Sequence, residues 1–135
     1  AREPVQFVFS AAGRRLGMLT DCGRITPHVV DVLSPCDALV LEFNHDRERL
    51  AVSSYPPSLR ARIAGGYGHL ENAQALSLLQ TLDVGRLQHL VAAHLSEENN
   101  CPRAVEALLA PLFAGDRRRF DIADQADGHG WRTLT

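Results

Sequence analysis

Short apolar runs alternate with helical apolar stripes along this chain, a pattern that predicts a fold of mixed strands and helices. Strands are predicted at residues 6–10, 16–20, 38–43 and 87–93. The run at 38–43 (ALVLEF) is almost entirely apolar, which is typical of a strand buried on both faces of its sheet. Two shorter segments, 120–124 (FDIAD) and 131–135 (WRTLT), are predicted to be edge strands.

Capping signals and apolar stripes predict the helices, at residues 27–33, 45–54, 58–64, 71–82 and 102–114. Thr26 followed by Pro27 is typical of an N-cap with proline at the first helical position. Gly13 suits a hairpin turn between the first two strands. Strands that alternate with helices over one compact stretch predict an α/β fold in which helices cover a mixed sheet.

The 135 residues are enough for one domain with a modest core. A net charge of −2 gives no electrostatic reason to expect nucleic-acid binding. Cys22, Cys36 and Cys101 lack CxxC spacing, which favours reduced thiols in an intracellular protein. No apolar run is long enough for a membrane span, and no signal-peptide pattern is present. We therefore expect a cytoplasmic protein without a membrane partner.

Polar residues cluster where the predicted strands end, at 19–23 (LTDCG), 41–46 (LEFNHD), 66–72 (GYGHLEN) and 92–100 (AAHLSEENN). Folds of the α/β class build their sites at such strand ends. Asp21 and His94 each follow a strand, and a carboxylate and an imidazole there can converge on zinc, manganese or iron. Glu42 ends its own strand, where it could hydrogen-bond a histidine ring and fix its tautomer and orientation.

Each of these residues also has an ordinary structural interpretation. An aspartate shortly before a glycine is commonly a turn residue or a helix cap. A histidine after a buried strand is commonly a hydrogen-bonded structural residue. His45 and Asp46 fit a cap of the following helix equally well. Three further histidines are interpreted as structural or solvated, namely His28, His89 and His129.

The order of the motifs favours a functional interpretation. The succession TDCG, LEFNHD, YPPSLRARIAGGYGHLEN and AAHLSEENN resembles the C-terminal half of metallo-β-lactamase-fold hydrolases over residues 8–105. The pattern is most similar to a small bacterial nuclease-like branch and, more distantly, to ribonuclease Z. The resemblance implies that residues 1–135 form a single half-domain, the C-terminal half of a four-layer αββα sandwich.

The resemblance also implies roles for individual residues. Asp21 matches the aspartate that bridges two metal ions, and His94 matches the last metal-ligand histidine. His69 matches the histidine that protonates the leaving group in ribonuclease Z, with Glu42 as its acidic partner. Five more residues are expected to support these or to contact substrate: His45, Asp46, Ser96, Asn99 and Asn100. The implied chemistry is attack of a bridging hydroxide on a phosphodiester, assisted by two divalent ions, zinc in preference to manganese or iron.

The chain departs from the family pattern at two places. Glu71 replaces a serine, so that GHLSN becomes GHLEN, and the family's HxHxDH motif is absent. The chain carries two of the usual seven metal ligands, so alone it is expected to be inactive and to bind metal weakly or not at all.

Half of the sandwich alone would also expose an apolar sheet face. The expected partner across that face is the N-terminal half of the fold or a second copy of the chain. A nucleic-acid substrate rests on the resemblance alone. The alternatives are a catalytically incomplete half-domain that serves as an interaction or dimerisation module and, third, a thiol or acyl hydrolase of the same fold.

Overall fold

The computed structural model describes residues 3–135, which form one five-stranded sheet with helices against it. In sheet order the strands are β1 (Gln6–Ala11), β2 (Arg14–Leu19), β3 (Ala38–Glu42), β4 (His89–Ala93) and β5 (Phe120–Ile122). The first pair is antiparallel and the other three pairs are parallel, so the predicted mixed sheet is confirmed. Ala12 and Gly13 both have positive φ, as a tight hairpin turn between β1 and β2 requires.

The helices follow the predicted order: α1 (Pro27–Leu33), α2 (Arg47–Ala51), α3 (Pro57–Ala64), α4 (Asn72–Thr81) and α5 (Pro102–Leu112). Thr26 caps α1 as expected, because its hydroxyl accepts from the Val29 amide at 3.3 Å. The helix predicted at 45–54 is shorter than expected, since Asp46 is its N-cap and accepts from the Arg49 amide at 3.0 Å. No helix within residues 3–135 has the length and apolar character needed to cross a membrane.

The prediction of an edge strand at 131–135 is wrong. This segment is irregular and runs across one face of the sheet, because its polar groups bind side chains and not a strand edge. The Arg132 guanidinium donates to both oxygens of Asp121, at 2.7 and 2.8 Å. The backbone of Thr135 exchanges hydrogen bonds with the side chain of Gln88, each at 2.8 Å. We call residues 129–135 the tail.

One face of the sheet carries the hydrophobic core. Side chains of α1, α4 and α5 pack there in a single cluster with alternate strand residues. The strand residues of this cluster are Leu19, Leu39, Leu41, Leu90, Ala92 and Phe120. The core therefore fixes the strands from one side only.

The opposite face of the sheet is also apolar, and register places its side chains in two rows. One row holds Phe7, Met18 and Val40, and the next holds Phe9 and Leu16. Phe7 and Phe9 are 52% and 56% exposed. We call these five residues the open face.

The tail covers the other end of the same side of the sheet. Trp131, Arg132 and Leu134 line a cavity of about 340 Å³ with side chains of β2, β3 and β4, while the Trp131 side chain itself is 100% exposed. The tail therefore leaves space between itself and the sheet. Of the open face, Leu16 and Val40 line this cavity, whereas the two phenylalanines and Met18 do not.

Candidate active site

Three predicted site residues meet at one edge of the sheet. Asp21 follows β2, Glu42 ends β3 and His94 follows β4. These strands are parallel neighbours, so their carboxyl ends lie side by side. His69 reaches the same point from the loop before α4. The structure thus brings together all four residues proposed for metal binding and catalysis.

Glu42 is the centre of this group, and its side chain is 0% exposed. One carboxylate oxygen lies 2.8 Å from His69 Nδ1 and 2.6 Å from His94 Nδ1. The other oxygen accepts from the backbone amides of Leu70 and Cys22, at 3.1 and 3.3 Å. An ionised carboxylate only accepts, so each Nδ1 carries a proton, and each neutral ring keeps a lone pair on Nε2.

The electrostatics agree with this arrangement. Burial alone raises the pKa of Glu42, but hydrogen bonds from His69, His94 and the Leu70 amide outweigh it and lower the pKa to about 2. The hydrogen bond to Glu42 raises the pKa of His94 against the opposite effect of burial, with help from the charge of Asp21. Glu42 is therefore ionised at neutral pH and holds both rings in a fixed orientation.

Asp21 completes a donor set that fits a divalent metal ion. Its Oδ2 lies 4.0 Å from His94 Nε2 and its Oδ1 lies 3.7 Å from His69 Nδ1. One donor atom from each of Asp21, Glu42, His69 and His94 lies within 4.8 Å of the others. Both oxygens of Glu42 are occupied by N–H donors, so the exposed donors are the Asp21 carboxylate and the imidazoles. Oxygen and imidazole nitrogen suit zinc, and a carboxylate behind a histidine is the usual support of such a ligand.

The backbone is strained at both predicted metal ligands. Asp21 and His94 each have φ of 59°, and among residues 3–135 only two other non-glycine residues have positive φ. Side chains other than glycine rarely adopt this conformation, and such residues concentrate at functional sites. Asp21 and His94 thus share a left-handed backbone conformation at adjacent strand ends.

A contact between glycines holds the Asp21 loop against the His69 loop. A Cβ added at Gly23 would lie 2.5 Å from the Gly65 oxygen and 2.6 Å from the Gly68 nitrogen. No side chain fits in this space, because both neighbours are backbone atoms. Sequence reasoning missed this contact between Gly23 and the Gly65–Gly68 segment.

Buried amides join the loops behind the site. Asn100 Nδ2 donates to the Phe43 oxygen at 2.7 Å and to Asn72 Oδ1 at 2.9 Å. Asn72 Nδ2 donates back to Asn100 Oδ1 at 3.0 Å. The pair therefore ties the loop after β3 to the starts of α4 and α5. Sequence reasoning singled out Asn100 but missed Asn72, whose signal is a polar residue at the buried start of a helix.

The remaining predicted residues lie in different places. Ser96 lines the cleft in front of the site and accepts from the Asn99 amide at 3.1 Å. His45 is buried, which lowers its pKa, and its Nδ1 lies 3.3 Å from Asn44 Oδ1. Asp46 caps α2, and its amide donates to the Asn99 oxygen at 2.9 Å. Of these residues, only Ser96 lines the cleft.

Glu71, the departure from the family pattern, faces away from the cleft. Its carboxylate lies 3.4 Å from Arg47 Nε, and both residues line a separate cavity. Its backbone amide donates to Gln74 Oε1 at 3.0 Å at the start of α4. The replacement therefore affects the cap of α4 and not the cleft.

The cleft has a volume of about 660 Å³. Asp21, His69 and His94 lie on one side of it, with Ser96 beside them. The facing wall comes from α3 and the segment before it, and its residues are Tyr55, Leu59, Arg62 and Ile63. The site is thus open to a ligand, and its candidate metal ligands face an aromatic, aliphatic and cationic wall.

Comparison with known proteins agrees with this geometry. Residues 1–94 match the family model described as a beta-lactamase superfamily domain. Exodeoxyribonuclease YycJ from Bacillus anthracis is 34% identical over 128 residues, which is 92% of this chain and 48% of that protein. The chain therefore spans about half the length of this curated relative.

The fold also matches a solved structure. Zn²⁺-bound PqqB from Methylobacterium extorquens superposes with a TM-score of 0.56 at 21% identity, over 90% of this chain and 41% of that protein. The mixed sheet and flanking helices of this chain therefore match the fold of that protein. From the family match over most of its length and the fold that agrees with it, we conclude that this chain belongs to the beta-lactamase superfamily domain family.

Proposed function

We propose that the chain is part of a metal-dependent phosphodiester hydrolase of the nuclease type. The observation that carries the proposal is the convergence of Asp21, His69 and His94 around the buried Glu42 at the edge of a cleft. The similarity to a protein named as an exodeoxyribonuclease supports a phosphodiester substrate. An acyl or thiol ester remains the weaker alternative, because fold alone does not select the substrate.

The Asp21 carboxylate and His94 Nε2 would hold the metal ion in this chain. When bound, divalent ions supply Lewis-acid polarisation of a phosphoryl oxygen and activation of water. Glu42 would keep His94 in the tautomer that leaves Nε2 free. The protein's part is therefore to orient the ligands before the metal arrives.

His69 is proposed as the proton donor to the leaving oxygen. Its Nδ1 is held by Glu42, so a second proton on the ring would lie at Nε2. When water adds to phosphorus and the P–O bond breaks, the Nε2 proton would pass to the leaving oxygen.

The other half of the sandwich is the proposed partner. Its sheet would cover the open face, and it would supply the metal ligands that this sequence lacks. Three observations support this pairing: the relative is about twice as long, HxHxDH is absent, and Phe7 and Phe9 are exposed side by side.

The metal site is tested by zinc titration calorimetry of the chain and of two variants, Asp21→Asn and His94→Asn, at protein concentrations high enough to measure the weak binding expected of the chain alone. Asparagine tolerates positive φ, so both variants keep the backbone conformation. Each should weaken zinc binding by tenfold or more, on the order of the loss for an altered metal site. Asp31→Asn, an exposed aspartate in α1, is the control. Variants that bind zinc as the control does would refute the assignment.

The second candidate is an interaction module without catalysis, which the open face favours. Intact mass and metal content of the protein purified from its source cells separate the two candidates. A mass of about twice 14.8 kDa with bound metal supports the hydrolase. A mass of 14.8 kDa without metal supports the interaction module.

A further inference from the structure

The wall that faces Asp21 and His94 has a composition that the metal site does not explain. Tyr55, Leu59 and Ile63 give it an aromatic and aliphatic surface, and Arg62 adds one positive charge. These residues come from α3 and the turn before it. Proteins commonly bind single-stranded nucleic acid with an aromatic ring on which a base stacks, aliphatic side chains beside it and a guanidinium group.

Tyr55 is held in position from the far side of the cleft. Glu98, in the loop after His94, accepts hydrogen bonds from the hydroxyls of Ser53 and Ser54, at 3.2 and 2.5 Å. The Ser53 hydroxyl in turn accepts from the Tyr55 amide at 3.2 Å. The segment before α3 is therefore tied to the loop of the predicted metal ligand. The half-buried Tyr55 ring lines the cleft, and within residues 3–135 its hydroxyl makes no hydrogen bond.

Arg62 carries an unpaired charge in the cleft. Its guanidinium is exposed and makes no hydrogen bond or ion pair with any of residues 3–135, whereas Arg47, Arg117 and Arg132 are each paired with a carboxylate. The cleft also holds the carboxylates of Glu97 and Glu98. One oxygen of the Glu98 carboxylate accepts hydrogen bonds from two serine hydroxyls. Arg62 is thus available to an anion.

We propose that this wall is a subsite for the unpaired end of a nucleic-acid strand. A base stacks on Tyr55 above Leu59 and Ile63, and its phosphate is bound by Arg62. A cleft of about 660 Å³ is the size of a pocket for a small ligand, which suits a strand end and not the side of a duplex. The subsite rests on the proposed function for its role in cleavage, but its binding can be tested without any metal.

The probe is thymidine 5′-monophosphate, titrated into the metal-free chain and followed by NMR. Thymidine and inorganic phosphate are titrated in parallel. The nucleotide should bind more tightly than either part and should shift the signals of Tyr55 and Arg62. Arg62→Ala should lose the preference for the nucleotide over thymidine. The affinity for the nucleotide should fall by about tenfold, the loss expected for one charged hydrogen-bond partner. Arg62→Lys should restore part of it.

Tyr55→Leu should weaken nucleotide binding by roughly five- to hundredfold, as expected for a lost stacking contact, and Tyr55→Phe should keep most of it. Arg103→Ala removes an exposed arginine of α5 that does not line the cleft, and it should change nothing. Equal losses of nucleotide affinity in Arg62→Ala and Arg103→Ala would overturn the proposal. The proposal would also fail if the nucleotide bound no more tightly than inorganic phosphate.

The test of the nucleotide subsite can succeed or fail independently of the test of the metal site. If the chain binds the nucleotide as described but Asp21→Asn leaves zinc binding unchanged, the subsite holds and the metal assignment fails. If zinc binding depends on Asp21 and His94 but Tyr55 and Arg62 variants bind the nucleotide normally, the subsite fails and the metal site holds.

Discussion

Glu42 is the residue on which the arrangement of the site depends. Four N–H groups donate to its buried carboxylate, two from histidine rings and two from the backbone of Cys22 and Leu70. A buried charge persists only when it is compensated in this way. The same compensation orients His69 and His94, so the stability of the fold and the geometry of the candidate site depend on one side chain.

Glu42→Gln should lower the free energy of unfolding by about 3 kcal/mol, because the neutral amide leaves its N–H donors poorly paired. Urea denaturation measures this loss. Glu48→Gln, on the exposed side of α2, is the matched control and should be neutral. A Glu42→Gln variant as stable as the control would contradict the central role of this carboxylate.

The pH dependence of stability follows from two opposite pKa shifts. The pKa of Glu42 is lowered from 4.5 to about 2, so its contribution is present above pH 4.5 and is lost as pH falls toward 2. The pKa of His94 is raised above 6.5, so its contribution is present below pH 6.5 and is lost as pH rises through the raised value. The stability difference between wild type and Glu42→Gln should therefore be greatest between pH 4.5 and 6.5. Urea titrations at each pH measure this difference. A difference that stays constant from pH 3 to 9 would refute the predicted pH dependence.

At the scale of elements, the sequence predicted what depends on local pattern. Strand and helix positions follow from periodicity and caps, and the motif order placed Asp21, Glu42, His69 and His94 in one site. The tail was mispredicted because Arg132 binds Asp121, a contact that the alternation in WRTLT does not encode. The glycine contact and the amide pair were missed for the same reason, since their partners lie far away in the chain.

Gly23→Ala should separate the loops that carry Asp21 and His69, because the added Cβ meets backbone atoms of Gly65 and Gly68. We expect a loss of about 1–3 kcal/mol in unfolding free energy, typical of overpacking. Zinc binding should weaken as well. Gly130→Ala is the control, because a Cβ there meets nothing within 4 Å. Denaturation and zinc titration of both variants check this, and equal behaviour would contradict it.

At the scale of the whole molecule, helices cover one side of the sheet, and within residues 3–135 the other side is covered only by the tail. The rows of the open face continue beneath the tail, where Val91 and Ala38 are buried. An apolar surface of this kind marks an interaction site or leads to self-association. Part of one side of the sheet is thus left exposed within residues 3–135.

Phe7→Ser combined with Phe9→Ser should reduce self-association of the isolated chain, because both rings are exposed on the open face. Sedimentation velocity over a range of concentrations measures the change. Val52→Ser removes an even more exposed apolar side chain that is remote from the sheet, and it should have no effect. A wild-type chain that stays monomeric at high concentration and binds no hydrophobic dye would argue against the open face as an interface.

The exposure of Trp131 has a practical consequence. It is the single tryptophan of the chain, and it lies in the tail beside the open face. Its fluorescence should therefore have the long-wavelength maximum of an indole in water. Any partner that covers this side of the sheet would move the emission to shorter wavelength. The chain thus carries its own optical reporter of assembly, at the place where assembly is expected.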